Sequence, residues 1–335
     1  MIQFYMDFAI QIQSDRTIIY QRDRGIVLNE ATCIAFTRGD KGKINVFAIG
    51  NEAQKIEESE AANIHVTRPI AHGRVTEVAI AQAFFREIYK KIEGVRRPKA
   101  VFVIPSSLTE EELLQYKEMI YAAPLHQAQF VPATIPLALE LGYDIERSRA
   151  SLAINITEDA CDIVVINGLG IINGGTIEEG GAYMNRLVRE YIIQKYDLEV
   201  GTRVAREARL ATQTLLGGNP ISFRMSGIHR ATAQIREEIF TCDDARAVLL
   251  PVYTKIVKVI RNILVSTNPD IVKDVVDGGV FVGGDSAYLN GLREMLEKEL
   301  EIKINMSDRG HLAALTGVAK LLDNPTMIKK IVDMN

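Results

Sequence analysis

Two distant stretches of this chain open in the same way. Near the N-terminus, Ile2, Phe4, Met6, Phe8, Ile10 and Ile12 recur at the two-residue period of a strand. Thr17-Ile18-Ile19-Tyr20 follows a polar turn, Ser14-Asp15-Arg16, and Gly25-Ile26-Val27-Leu28 comes next. The second half begins again with apolar runs over 151–156, 161–167 and 170–177. After each three-strand meander the pattern changes to strands alternating with helices. A long-range echo of this kind implies a duplicated α/β unit: two lobes on one plan, with a cleft between them. The 335 residues are long for a single core and suit two.

The first half continues with a predicted strand over 45–50 and a helix over 76–93. A buried strand over 100–104 ends at Pro105-Ser106-Ser107, and Thr109 followed by three glutamates opens a helix to about residue 122. A strand near 129–131 and a helix over 135–142 complete it. In the second half, helices are predicted over 182–195 and 201–215 and a strand over 219–226, while 232–239 fits either helix or strand. A long helix over 243–266 precedes a strand, Val280-Phe281-Val282, that runs into Gly283-Gly284-Asp285. Helices over 286–298 and 310–322 close the chain. The lobes fall at 1–145, with an insertion over about 30–75, and at 146–335, with an insertion over about 182–245.

Composition removes several function classes. The net charge is -4 and no basic stripe stands out, so nucleic acid is not an expected partner. The small run Val95-Arg96-Arg97-Pro98-Lys99 reads as a solvated loop cluster. Cys33, Cys161 and Cys242 lie far apart, which fits neither a disulfide scaffold nor a metal site and suggests a reducing, cytoplasmic compartment. The five histidines, His65, His72, His126, His229 and His311, have no ligand spacing, so no metal is expected. The N-terminus lacks signal-peptide organisation and no apolar run is long enough to span a bilayer.

Several segments, in order, resemble bacterial actins of the MreB and MamK branch of the actin/Hsp70 superfamily. Arg24 to Glu30, R-G-I-V-L-N-E, resembles the strand after that family's first phosphate hairpin. Arg68-Pro69-Ile70-Ala71-His72-Gly73 is similar to its R-P-L-K-D-G segment, and Val103-Ile104-Pro105-Ser106 to its V-P-S segment. G-G-A-Y-M-N at 180–185 resembles G-G-D-E-M-D at a helix start. Asp277 to Leu292 resembles the adenosine segment D-R-G-I-V-L-T-G-G-G-A-L-L-R-G-L. The resemblance covers nearly the whole chain. It implies an actin-like, ribonuclease H-like fold of two lobes, each a mixed five-stranded sheet flanked by helices, with smaller inserted subdomains.

The chain departs from that family where phosphates would bind. Family members hold ATP between two glycine-rich hairpins, because backbone N–H groups must approach the phosphates in conformations open to glycine. An Asp in each hairpin helps hold Mg²⁺ through water. The first hairpin, D-L-G-T-A-N in the family, is matched by Gln11-Ile12-Gln13-Ser14-Asp15-Arg16, with Gln11 and Gln13 at the Asp and Gly positions. The second, D-I-G-G-G-T-T, is matched by Asn155-Ile156-Thr157-Glu158-Asp159-Ala160-Cys161, where Asn155 replaces Asp and Thr157, Glu158 and Asp159 replace the glycines. The helix start that carries the water-positioning glutamate, E-E-P-M-A-A-A, is matched by Pro132-Ala133-Thr134-Ile135-Pro136-Leu137-Ala138, with no carboxylate. Phosphoryl transfer needs metal, positioning and charge stabilisation. Glu158 and Asp159 would also repel a triphosphate, by roughly 4 kcal/mol per pair of unit charges at about 4 Å and an effective dielectric of 20. Little or no ATPase activity and no bound cofactor are therefore expected.

What replaces the nucleotide has two readings. Arg16 could form a cross-cleft clamp with Glu158 or Asp159, or both turns could be solvated and functionless. Gly283, Gly284 and Asp285 either cradle an adenine or make a strand-to-helix turn. Glu207 and Arg209 fall where the family's E-E-I-K helix touches the ribose, or are solvated helix charges. The loop Glu93-Gly94-Val95-Arg96-Arg97-Pro98 is short and basic with no apolar wedge, so membrane insertion is not expected. The resemblance implies self-association into filaments through head-to-tail contacts. The alternatives are a non-polymerising adaptor that binds another actin-like protein, and an active ATPase with Mg²⁺ held unusually by Asp15 or Asp159.

Overall fold

The structure is a computed structural model that describes residues 5–39, 42–58, 64–92, 97–145 and 149–335. The first half opens with the expected meander, β1 (Phe8–Ile12), β2 (Arg16–Gln21) and β3 (Gly25–Ala31). There follow β4 (Ile34–Arg38), β5 (Ile44–Ile49), α1 (Asn51–Glu58), β6 (His65–Thr67), β7 (Ile70–Ala71) and β8 (Arg74–Val75). Then come α2 (Val78–Lys90), β9 (Lys99–Ile104), α3 (Glu110–Ile120), β10 (Gln127–Pro132) and α4 (Thr134–Glu140). The second half repeats the opening with β11 (Ser151–Ile156), β12 (Cys161–Asn167) and β13 (Gly170–Ile177). It goes on through α5 (Gly181–Tyr196), β14 (Leu198–Glu199), α6 (Thr202–Thr212), β15 (Ser222–His229) and β16 (Ile235–Thr241). The chain ends with α7 (Cys242–Ser266), α8 (Pro269–Gly278), β17 (Val280–Gly283), α9 (Leu292–Leu300), β18 (Ile304–Met306), α10 (Ala313–Ala319) and α11 (Pro325–Met334).

The echo in the sequence becomes a repeated sheet. One five-stranded sheet runs β10-β9-β1-β2-β3 and the other β13-β12-β11-β17-β18. In each, three antiparallel strands come from a meander and two parallel strands are added beside its first strand: Ile10 lies opposite Ile19 and Phe102, and Ile154 opposite Ile163 and Val282. These central strands are mostly apolar because both faces are covered. Phe8, Ile10 and Ile12 enter the outer core of the first lobe, and Leu152, Ile154 and Ile156 that of the second. The alternate residues Ala9 and Ala153 enter a third core shared by both sheets, with α4 and α10 between them. At the α4–α10 crossing, a Cβ on Gly317 would lie 1.9 Å from the Pro136 carbonyl oxygen. The two sheets are thereby held face to face, with the ends of β1 and β11 at one cleft.

Some elements differ from the sequence reading. The ambiguous 232–239 stretch is strand from Ile235, with Phe240 buried opposite Phe223. The predicted helix over 286–298 divides into a 3-10 turn, Asp285–Ala287, and α9, because Gly291 with φ 87° interrupts the chain between them. The 310–322 helix likewise starts as a 3-10 turn, Gly310–Leu312. Residues 93–96 of the loop weighed for membrane contact, and the 146–148 stretch at the lobe boundary, lie outside the described residues. Among the described residues, no helix is long and apolar enough to cross a membrane.

Candidate functional site

β1 and β11 each end at the cleft and turn back into an antiparallel partner. Gln11 and Asn155, at the two strand ends, are 5% and 6% exposed. In the first turn the Gln13 N–H donates to the Arg16 carbonyl at 2.9 Å. In the second, the Thr157 N–H donates to the Ala160 carbonyl at 2.9 Å, and Thr157 Oγ1 accepts the Ala160 N–H at 3.2 Å. No residue over 11–16 or 155–161 has a positive φ. Glycine is therefore not needed in either turn, and the threonine hydroxyl closes the second one.

The two acidic side chains of that turn point inward. Asp159, 6% exposed, accepts the Ser14 backbone N–H at 3.0 Å and so joins the two hairpins across the cleft. Glu158, 8% exposed, accepts from Asn185 Nδ2 at 2.9 Å and stands 3.8 Å from the Arg209 guanidinium. Arg209 donates to Asn185 Oδ1 at 2.6 Å, which closes a buried Glu158–Asn185–Arg209 network. The start of α5 packs on the same turn. Its Gly181 and Ala182 N–H groups donate to the carbonyls of Thr157 and Glu158, both at 2.9 Å. A helix N-terminus offers free N–H groups to anions; here two are given to the protein's own backbone. A Cβ on Gly181 would lie 2.2 Å from a Glu158 carboxylate oxygen and 2.6 Å from Ser286 Oγ, so glycine is required for the fit.

The other candidates separate. Arg16 does not make the cross-cleft clamp: among the described residues it forms no ion pair with Glu158 or Asp159, and its Nη1 donates to Asn29 Oδ1 at 2.7 Å. Its position at the head of β2, opposite Ala31, carries the side chain along the β2–β3 face. The second turn is not solvated, since Glu158 and Asp159 are buried, whereas Ser14, Asp15 and Arg16 of the first are half-buried. Asp15 instead stands 3.8 Å from Arg206 of α6, a second contact between the lobes. Glu207 faces away and stands 3.7 Å from the exposed Arg203. Gly283 and Gly284 are demanded by packing: Cβ atoms there would lie 2.3 Å from a Leu137 methyl and 2.2 Å from the Ile156 carbonyl. Asn185 and Arg206 escaped the sequence reading. Arg206 stood one turn before Arg209, and Asn185 inside the quoted G-G-A-Y-M-N.

Removal from water dominates the electrostatics. It pushes Glu158 above the usual carboxylate range against the pull of Arg209 and Arg206. It pushes Asp159 up against the Ser14 bond. Asp285 rises to about 7, through burial first and then through Asp15 and Glu158. Burial lowers Arg209, opposed by Glu158, yet a guanidinium keeps its charge. Beside the hairpins a small cavity of about 50 Å³ is lined by Gln11, Gln13, Asn155, Thr157, Asp159 and Asp162 among others. Gln11 Oε1 and Ser286 Oγ are buried without hydrogen-bond partners among the described residues. A larger recess of about 570 Å³ opens beyond the network, between Leu210 of α6, Gln213 just past its end, Tyr288, Arg293 and Met306. No cluster of His, Cys, Asp or Glu among the described residues is placed to hold a metal ion.

Known proteins share this architecture. The chain is 24% identical to the cell shape-determining protein Mbl of Bacillus subtilis, over 98% of each chain. The crystal structure of MreB5 of Spiroplasma citri bound to ADP superposes with a TM-score of 0.87 at 19% identity, over 97% of both chains. The MamK double helical filament gives a TM-score of 0.77 at 14% identity, over 94% of this chain and 97% of that one. The sequence model of the MreB/Mbl protein family matches residues 5–330, and the chain belongs to that family of bacterial actin-like cytoskeletal proteins.

Proposed function

We propose that this chain is a filament-forming cytoskeletal subunit whose cleft is held by its own side chains in place of a nucleotide. The observation that carries the reading is the Asp159 carboxyl group on the Ser14 N–H: a hairpin donor of the kind that approaches a phosphate is occupied by the protein's own side chain. The residues present do not fit a Mg-triphosphate. Glu158 fills the space against Gly181, Gln11 and Asn155 stand at the two strand ends in place of carboxylates, and Asp159 adds a further acidic side chain to the cavity lining. The helix start of α4 offers Thr134 and Pro136 where a water-positioning carboxylate is needed. MreB5 has been solved with ADP and MamK as a double helical filament. The reading keeps the assembly and dispenses with the nucleotide, so polymer turnover would follow concentration and partners rather than hydrolysis.

Thermal unfolding with and without Mg-ATP tests this. A ligand at 100 times its Kd stabilises the folded state by about 2.7 kcal/mol. The expected result is no shift in Tm and no phosphate release above a heat-denatured control. A saturable upward shift would overturn the reading.

A further inference from the structure

The duplicated plan gives each sheet a loop at the cleft beside its first strand: 105–107 after β9 in the first lobe and 284–286 after β17 in the second. Among the described residues, only the first of these loops is bonded to the opposite meander. Asp162 of β12, 4% exposed, accepts the Ser106 N–H at 3.1 Å and the Thr176 hydroxyl, and the Ser107 and Thr176 hydroxyls bond each other. Ser106 Oγ in turn bonds the Thr134 hydroxyl at 2.8 Å and accepts the Thr134 N–H at 3.3 Å, at the start of α4. One carboxyl group thus ties β12 and β13 to the end of β9 and to a helix that lies between the sheets. The 284–286 turn bonds Tyr253 and its own backbone instead.

We propose that Asp162 is the joint on which the two lobes turn: the cleft opens at the inserted subdomains while β12 and β13 keep hold of the 105–107 loop. The joint deepens the reading of a cleft held by its own side chains, and rests on it. Both insertions reach the β1–β2 turn. Arg206 of α6 is 3.8 Å from Asp15, and Arg68, which pairs with Glu57 of α1, donates to the Ser14 carbonyl at 3.4 Å. The Asp15–Arg206 pair is open to water, and an ion pair so placed holds little. Asp162 is closed off from water, so no solvent replaces its bonds and breaking them is costly. Ser14 and Asp159 add a single bond. The Gln11 amide, bonded to the His311 carbonyl at 3.1 Å where α10 packs on β1, belongs to the core that stays closed. A weak contact at the insertions and a buried, branched one at the 105–107 loop make opening a rotation rather than a separation.

The test is a pulsed dipolar distance measurement on two pairs of spin labels at exposed positions. Glu52→Cys with Arg236→Cys spans the insertions, and Glu111→Cys with Glu178→Cys spans the joint; the three native cysteines are buried. In Arg206→Met the first distance is expected to lengthen and the second to stay as in the parent. In Asp162→Ala the second distance lengthens. Thr176→Val, which keeps the side-chain shape and removes the hydroxyl between Asp162 and Ser107, lengthens it too and is the variant to use should Asp162→Ala not fold. An unmoved first distance or a lengthened second one in Arg206→Met, or an unmoved second distance in the Asp162 and Thr176 variants, overturns the joint. A change in either distance on adding Mg-ATP to the parent would instead defeat the nucleotide-free reading, while the variant series still decides the joint.

Discussion

Asp159 accepts a backbone N–H from the opposite lobe, so its replacement by alanine strands that donor inside the cleft. Asp159→Ala is expected to cost about 1–3 kcal/mol in denaturant unfolding, and Asp159→Asn, which keeps an acceptor, less. Equal losses would show that the bond is not what the carboxylate contributes. Arg209 answers for a buried charge. Removing it in Arg209→Met leaves Glu158 unpaired and should cost about 3–5 kcal/mol. Adding Glu158→Gln should recover part of that loss, and strictly additive losses in the double-mutant cycle would dissolve the proposed network. At this scale the sequence set Thr157, Glu158 and Asp159 in a turn between two apolar strands. It did not disclose which way the acids turn. Adjacent charges in a turn are mostly solvated, and what draws these inward is far off in the chain: Ser14, Asn185 and Arg209.

Elements were legible where their signals were local. Thr109 with Glu112 makes the capping box that starts α3, and Thr241 with Asp244 the one that starts α7. Asp244 does more than cap. It also accepts from Tyr191, Lys195 and Tyr196, tying α5 to α7. Burial works against its ionisation, but these bonds prevail and hold it below the usual carboxylate range. A depressed carboxyl stabilises the fold above its unfolded value and loses that contribution as pH falls through the folded one. Asp244→Asn should therefore be less stable at neutral pH, with the gap to the parent narrowing below about pH 4; a gap independent of pH would contradict this. Helix ends were misread where a glycine or a 3-10 turn intervenes, as at Gly291 and Gly310. α8 went unread although Asn268 and Pro269 mark its start. The α4–α10 crossing depends on Gly317, and Gly317→Ala should cost about 1–3 kcal/mol by overpacking, with an unchanged Tm counting against so close a contact.

The whole molecule was the most legible level, because the repeated meander is a pattern of residues and its consequence is a repeated sheet order. The shared core was not legible: whether Ala9 and Ala153 meet across α4 and α10 depends on how two sheets pack, which periodicity does not specify. That packing also sets the cleft, and hence the central claim that this subunit assembles without nucleotide. The most direct measurement is high-speed pelleting with negative-stain imaging, on protein stripped of nucleotide, with and without Mg-ATP. Equal amounts of filament in both conditions are predicted. Filaments only with Mg-ATP would contradict the account and mean that the Thr157-Glu158-Asp159 turn still admits phosphates; none in either would move the chain to an adaptor that does not polymerise.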